Sequence, residues 1–405
     1  MVEINPFRGY TYNPEKVNDI SKTIAPPWDV IDAEGEKYLK SLSGWNVINL
    51  ISAGADPSKA RDTFEEWIAG AVLVRDAQES FYFSRHTFRW MGREFTRQGI
   101  FALLRLQDFS SGNVIPHEKV FEKYHTNRYR LIEKCRANFS PVFMLYRDAS
   151  RVIDGIIDSS APEVEGRMGN EDRVDFGRIG GAAEINLIKD LLTPGKLIIA
   201  DGHHRYQGAL QYYRDNPGAS NSFVLVFLVN IESPELLILP THRYVRANLS
   251  FLEKKTGFEK YFDIKKMRSA EEMFSGMQCD EETRIFGVYE KDGFYTITVK
   301  DKEEVRKHMP EGFSEQWQML DTVILHNLVF AELFNTAAPD LFFHQSADYL
   351  LNEYRKMNSG VIFFLNPVSK KQFADICFSG ELMPQKTTYF YPKVPTGLVI
   401  NKFDR

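Results

Sequence analysis

The sequence predicts an α+β fold, and three observations carry that expectation. Residues 80–90 and 94–106 form two aromatic-rich, alternating segments joined at Met91-Gly92-Arg93, the pattern of an antiparallel hairpin. The short run Lys196-Leu197-Ile198-Ile199-Ala200 has the length and composition of a buried strand, and it leads into Tyr206, Ala209, Leu210 and Tyr213, spaced along one helix face. After about residue 246 the charge density rises and a fresh set of elements begins, which reads as a separate, smaller lobe.

Taken in order, the opening segment from Asn5-Pro6-Phe7-Arg8-Gly9-Tyr10 through Ala25-Pro26-Pro27-Trp28-Asp29-Val30 is too rich in proline and turn residues for a long helix and is expected to be extended loop. A helix starts at Asp56-Pro57, with Ala60, Phe64, Trp67, Ile68 and Ala71 as its apolar stripe. The hairpin follows, then a basic, His-containing loop and helix from Pro116-His117-Glu118-Lys119 to Arg130, then a short strand from Val142 to Tyr146. A helix over 183–192 closes at Thr193-Pro194-Gly195 before the buried strand. Further strands are expected at 223–231 and 236–239, the latter ending in Pro240-Thr241-His242-Arg243. The C-terminal lobe should contain a hairpin at Lys291-Asp292-Gly293, a long apolar helix near 317–335, a buried strand at 361–365, and an extended aromatic tail over 383–393.

Composition narrows the functional classes. A chain of 405 residues, 43% hydrophobic and 26% charged, suffices for two or three globular units. Its first thirty residues lack an apolar signal core, and no stretch reaches the roughly 18 apolar residues of a membrane span, so a cytoplasmic location is expected. Three dispersed cysteines, Cys135, Cys279 and Cys377, suggest neither a disulfide framework nor a thiolate metal site. A net charge of −5 disfavours bulk nucleic-acid binding, and no membrane partner is expected. The aromatic content of 13% is assigned to thick cores rather than base-stacking platforms.

Chemistry concentrates at Asp201-Gly202-His203-His204-Arg205, the turn between the buried strand and its helix. The first N–H groups of a helix have no internal partner and carry partial positive charge, so such a junction favours phosphate. Gly202 lets the backbone approach closely, Arg205 can fork onto two phosphate oxygens, His203 and His204 add donors, and Asp201 can hold a metal or orient a histidine. Zinc through two adjacent histidines is disfavoured, because neighbours rarely converge on one ion and no Cys or H-E-x-x-H spacing supports it. Glu118, beside His117, supplies a carboxylate able to take a proton from an attacking hydroxyl. The basic neighbours Lys119, Lys123, Arg128 and Arg130 form either a solvated helix face or an electropositive wall. His242-Arg243 resembles a second anion clamp and Lys386 with Lys393 a third, each weak alone, and the proline loop around Asp29 reads either as a rigid active-site loop with Asp29 as metal or substrate ligand or as a packed surface loop.

With these motifs in view, the chain resembles over nearly its whole length the bacterial and archaeal family catalogued as domain of unknown function 1015. The matching segments, in order, are Pro6-Phe7-Arg8-Gly9, Ala25-Pro26-Pro27-Trp28-Asp29-Val30-Ile31, Pro116-His117-Glu118, Asp201-Gly202-His203-His204-Arg205-Tyr206, Pro240-Thr241-His242-Arg243, and Met383-Pro384-Gln385-Lys386-Thr387-Thr388-Tyr389-Phe390-Tyr391-Pro392-Lys393. The family usually has Tyr where this chain has Trp28, and Ser where it has Thr387. The His117-Glu118 and DGHHR pair also looks like that of free serine kinases, which share a fold with ParB partition proteins and sulfiredoxin and convert L-serine to O-phosphoserine.

The resemblance implies a ParB/sulfiredoxin-like core with a mixed sheet over residues 99–245, an added N-terminal region over 1–98, and a smaller C-terminal α/β lobe over 246–405. It implies a free serine kinase in which Glu118 is the catalytic carboxylate and Asp201, Gly202, His203, His204 and Arg205 bind phosphate. Mg²⁺ would sit at Asp201, and His117, Asp29, Arg243 and Lys386 would contact substrate or donor. Pyrophosphate is the donor implied, with ADP and ATP open, since no G-x-x-x-x-G-K-[ST] loop or protein-kinase motif set is present. A ParB-like nucleotide-binding regulator or DNA-partition protein is the alternative, but it needs a basic DNA-binding domain that the acidic balance does not suggest. A sulfiredoxin-type reductase needs a cysteine where this motif has histidine.

Overall fold

Side chains of the 81–90 hairpin strand are buried on both faces, and a two-stranded hairpin has no means of covering both by itself. It is therefore built into a larger sheet. The computed structural model describes the chain apart from residues 53–55, 120–124, 170–171, 247–248, 279–281, 292, 337–339 and 404–405, and the side chains of residues 125 and 126. Lys123, Cys279 and Asp292 thus lie outside the described residues. The architecture is mixed α+β, in two units: Met1–Leu237 with Pro392–Arg405, and Ile238–Tyr391.

In the first unit the strands are β1 (Ile4–Asn5), β2 (Tyr10–Tyr12), β3 (Leu73–Arg75), β4 (Phe81–Trp90), β5 (Arg93–Arg105), β6 (Val114–Pro116), β7 (Ala137–Asn138), β8 (Val142–Tyr146), β9 (Val164–Met168), β10 (Asp172–Ile179), β11 (Leu197–Asp201) and β12 (Phe223–Asn230). The helices are α1 (Ala33–Leu42), α2 (Ile48–Ile51), α3 (Pro57–Ala69), α4 (His125–Cys135), α5 (Val152–Ser159), α6 (Ala182–Leu192) and α7 (His203–Asp215). Eight strands run in the order β6-β11-β8-β12-β5-β4-β10-β9, and β1 pairs with β5 as the ninth. β11–β6 and β12–β8 are parallel and the other pairs antiparallel, so the sheet is mixed.

One face of this sheet carries Phe81, Phe83, Ile100, Val142, Met144, Val226 and Ile199, packed against Ile153, Ile157, Ile188 and Tyr206 of the covering helices. Because β1, β4 and β5 belong to this sheet, a division at 98/99 falls inside β5. The opening segment stays without a long helix up to residue 32, but Ala33–Leu42 and Ile48–Ile51 are helical, a signal obscured by the nearby prolines and glycines.

The second unit holds a six-stranded sheet that includes His242–Val245, so the strand after Pro240 belongs here rather than to the preceding core. Ile285–Glu290 and Gly293–Val299 form the expected hairpin. The apolar stretch near 317–335 is not one regular helix: a short helix, Asp321–Ile324, continues as a π-helix over Leu325–Leu333. The last residues return to the first unit, where Ile400 bridges Tyr10, Thr396 bridges Ala25, and Asn401–Lys402 pairs with β7. Among the described residues no helix is long and apolar enough to cross a membrane.

Candidate functional site

Parallel strands deliver their carboxyl ends to the same edge of a sheet. β6 and β11 are parallel neighbours with Ile199 opposite Pro116, so His117-Glu118 leaves one strand beside Ala200-Asp201 leaving the other. The two motifs are far apart in sequence and adjacent in space for this reason alone.

Their contacts are specific. His117 Nδ1 donates to the Ile199 carbonyl at 2.6 Å, which places its proton on Nδ1 because a carbonyl only accepts. The His117 backbone N–H donates to His203 Nε2 at 3.3 Å, and the two rings meet edge to face at 4.7 Å. His203 therefore carries its proton on Nδ1, and that nitrogen lies 3.9 Å from Glu118 Oε1. Burial, reinforced by the neighbouring His117 and by Arg205, holds His203 well below the usual histidine range, so the ring is neutral.

Asp201 is the electrostatic centre. Its Oδ1 accepts from Lys393 Nζ at 2.6 Å, and its Oδ2 from the Arg205 guanidinium. Burial alone would raise its pKa, but Lys393 and Arg205 outweigh burial and hold the carboxylate far below its ordinary range. Arg205 also donates to the Pro141 carbonyl, which fixes the fork. Lys393 arrives on the returning C-terminal segment. The preceding carbonyl, that of Pro392, accepts from Arg97, a wholly buried arginine of β5 whose guanidinium lies 5.3 Å from the Phe143 ring and 5.6 Å from the Phe227 ring.

The turn itself requires glycine. Gly202 has φ of +90°, and a Cβ there would lie 2.8 Å from the Arg205 guanidinium. As N-cap of α7 it offers no side chain to the first N–H groups of the helix. His204 and Arg205 stand half-buried on that first turn. Arg128 of α4 lies against Gly208 of α7, and its own pKa is lowered by burial first and by Arg205 second, while Asp29 acts in the opposite sense. The cluster thus gathers cations around one carboxylate, a setting suited to an anion with several negative oxygens.

The structure brings together Glu118, His117, Asp201, Gly202, His203, His204 and Arg205, with exposed Asp29 in electrostatic reach of Arg128. Lys119 and Arg130 are exposed. Arg243 and Lys386 belong to the second unit and meet there, the guanidinium donating to the Lys386 carbonyl at 2.8 Å and to the Thr241 carbonyl. His242 is buried and accepts from the Leu365 N–H at 3.1 Å, its pKa pushed down to about 3 by burial and Arg243. Lys393 was read from sequence as an anion contact beside Lys386 but not as the partner of Asp201, and Arg97 behind it was not singled out. The signal for Lys393 was its place at the end of the Met383–Lys393 segment; Arg97 gave none, because a charge in an alternating strand reads as solvent-facing.

Fold and site define a mixed α+β protein with a cation-rich strand–turn–helix junction flanked by a carboxylate. The chain belongs to the family described as Protein of unknown function (DUF1015), whose model matches residues 4–323. A search of curated proteins gave no match. Among solved structures it is similar to a conserved hypothetical protein from Pyrococcus furiosus, at 11% identity and a TM-score of 0.34 over 74% of this chain and 93% of that one. It is similar also to a free serine kinase in complex with AMP, at 12% identity and a TM-score of 0.34 over 72% and 86%. A third is SbnI with C-terminal truncation from Staphylococcus aureus, at 11% identity and a TM-score of 0.38 over 74% and 86%. Likenesses of this size transfer no activity.

Proposed function

We propose that the protein is a phosphotransferase that moves a phosphoryl group onto the hydroxyl of free L-serine, giving O-phospho-L-serine, with pyrophosphate as donor and ADP or ATP as the nucleotide alternatives. The observation that supports it most is the convergence of Glu118, neutral His203 and the Asp201–Arg205–Lys393 cluster at the mouth of one uncapped helix. Phosphoryl transfer depends mainly on positioning and charge neutralisation, and this cluster offers both. The serine acceptor comes from the motif resemblance.

In this reading the donor phosphate seats on the first N–H groups of α7, with Arg205 and Lys393 turning from Asp201 toward its oxygens. Glu118 accepts the serine hydroxyl proton as the new O–P bond forms and the bond to the leaving phosphate breaks. His203, fixed through Nε2 by the His117 N–H, directs its Nδ1 proton toward Glu118 and orients the carboxylate. Among the described residues no group of three or more His, Cys, Asp or Glu can hold a metal by itself, and both oxygens of Asp201 already face cations. A Mg²⁺ that arrives on the donor phosphates fits this arrangement with Asp201 as its one protein ligand, each carboxylate oxygen having a second lone pair. When bound there it would neutralise charge on the leaving phosphate.

The test is phosphoserine formation by the purified chain from L-serine and Mg²⁺, with pyrophosphate, ADP and ATP supplied separately. Product is expected with at least one donor and none with Glu118→Gln, which should still bind that donor. Full activity of Glu118→Gln would remove Glu118 from the mechanism, and no product with any donor would exclude serine as the acceptor.

A further inference from the structure

Asp201 holds Arg205 and Lys393, but a third cation of the first unit is not held in this way. Arg128 is the fourth residue of α4, a helix whose first turn carries no acidic side chain. Among the described residues its guanidinium has no hydrogen-bond or ion-pair partner, and although the residue is half-buried, none of its nitrogens is sealed from solvent. A cation on the first turn of a helix is opposed by the helix dipole, so this placement costs stability unless something negative meets it.

Packing decides where Arg128 lies. Gly208 of α7 has no side chain, and a Cβ built there would come 3.3 Å from the Arg128 Cβ and 3.4 Å from the Tyr129 backbone nitrogen. Tyr129 in turn meets Tyr212 edge to face at 5.8 Å, so α4 is pinned against α7 at two points. Along α7, Gly208 follows Arg205 by three residues and His204 by four, which puts all three on one face of the helix. Arg128 is thus seated on the face of α7 whose first turn carries Arg205. After burial, Arg205 is the largest influence against its charged form, and Asp29 acts in the opposite sense. Two guanidiniums that repel each other beside the free N–H groups of a helix are stabilised together by an anion that reaches both.

We infer that Arg128 binds the phosphate donor, taking the phosphate that leaves while Arg205 takes the phosphoryl group that is transferred. The inference rests on the reading of the α7 junction as a phosphate cradle and on no particular acceptor. Arg205 is tied to the turn through Asp201 and the Pro141 carbonyl, whereas Arg128 arrives from a different helix, so the two forks suit two linked phosphates rather than one. Such a site selects a diphosphate group, as in pyrophosphate or a nucleoside di- or triphosphate, over orthophosphate.

The experiment is calorimetric titration of the full chain, without serine and with Mg²⁺ present, using inorganic pyrophosphate and orthophosphate as probes. Pyrophosphate is expected to bind about tenfold or more tightly than orthophosphate. Arg128→Ala should weaken pyrophosphate by about tenfold or more and change orthophosphate by less than about threefold, so that the preference collapses. Arg128→Gln keeps the stem against Gly208 and removes the charge, and it decides the matter if Arg128→Ala does not fold. Equal weakening of both probes would overturn the inference, because Arg128 would then be only a source of general positive field. Pyrophosphate binding that neither variant changes would overturn it too; if Arg205→Ala weakens pyrophosphate in that case, the cradle stands and Arg128 alone falls. No binding of pyrophosphate to the unchanged chain at millimolar concentration would remove the cradle and Arg128 together.

Discussion

At the scale of single residues, the first-unit cluster is organised by Asp201, which holds two cations in place. Loss of a charged contact costs about 1.5–3 kcal/mol, so Arg205→Ala should weaken donor binding on the order of tenfold to a hundredfold. Unaltered affinity in a direct titration would show that the cradle lies elsewhere. Gly202 is constrained differently: Ala there would sit at φ +90° and press on the Arg205 guanidinium. Gly202→Ala is expected to cost about 1–3 kcal/mol of stability and to displace Arg205, seen as a lower melting temperature together with weaker donor binding. The sequence already marked Asp201 to Arg205, because Asp-Gly followed by two histidines and an arginine after an apolar run has a direct physical reading. Arg97 was not legible, since its partner is a backbone carbonyl that no side-chain pattern reports.

Among elements, the decisive relation is the parallel pairing of β6 with β11. β6 is three residues long, too short for a periodicity signal, so the adjacency of Glu118 to His203 was invisible until the sheet was assembled. The C-terminal segment acts in the same manner: it re-enters the first unit through Thr396, Ile400 and Asn401 and carries Lys393 to Asp201. Arg97→Met removes the donor that meets the Pro392 carbonyl while keeping an apolar body against Phe143 and Phe227. The expected result is a raised KM for the donor with the melting temperature lowered only modestly. Lys393→Met should show the same rise in KM, and if Arg97 acts through Lys393 the double variant will be no worse than Lys393→Met alone. Additive losses would separate the two roles.

Across the whole molecule, several histidines are buried in the neutral form. His242 is pushed down to about 3 and His326 to about 4, both chiefly by burial, and His203 lies well below its usual range. In the unfolded chain each titrates near 6.5, so below that pH the unfolded state binds protons that the folded state refuses. Their contribution is complete above about pH 6.5 and is lost as pH falls toward the folded values. Asp321 has the opposite sign: raised to about 6, it favours the folded state at low pH and loses that advantage as pH rises through 6. Three histidines outweigh one carboxyl, so the melting temperature should fall steadily from pH 7.5 to 5, and a rise over that interval would contradict the assignment. Asp321→Asn should raise stability at pH 7.5, on the order of 2 kcal/mol, and have little effect at pH 4.

The sequence by itself determined the α+β class, the hairpin, the strand–turn–helix junction at Asp201 to Arg205, and the identity of the candidate carboxylate Glu118. These are local matters: periodicity, turn chemistry and helix-end electrostatics act within a dozen residues. Tertiary structure alone decided that the N-terminal strands share a sheet with the core, that Glu118 stands beside His203, that Lys393 returns to pair with Asp201, and that the Thr241 and Thr387 segments line one open cavity. Each of these depends on which strand edges pair and where a distant segment rejoins the fold. Such pairings are set by the burial of whole faces, and no local pattern in the chain encodes them.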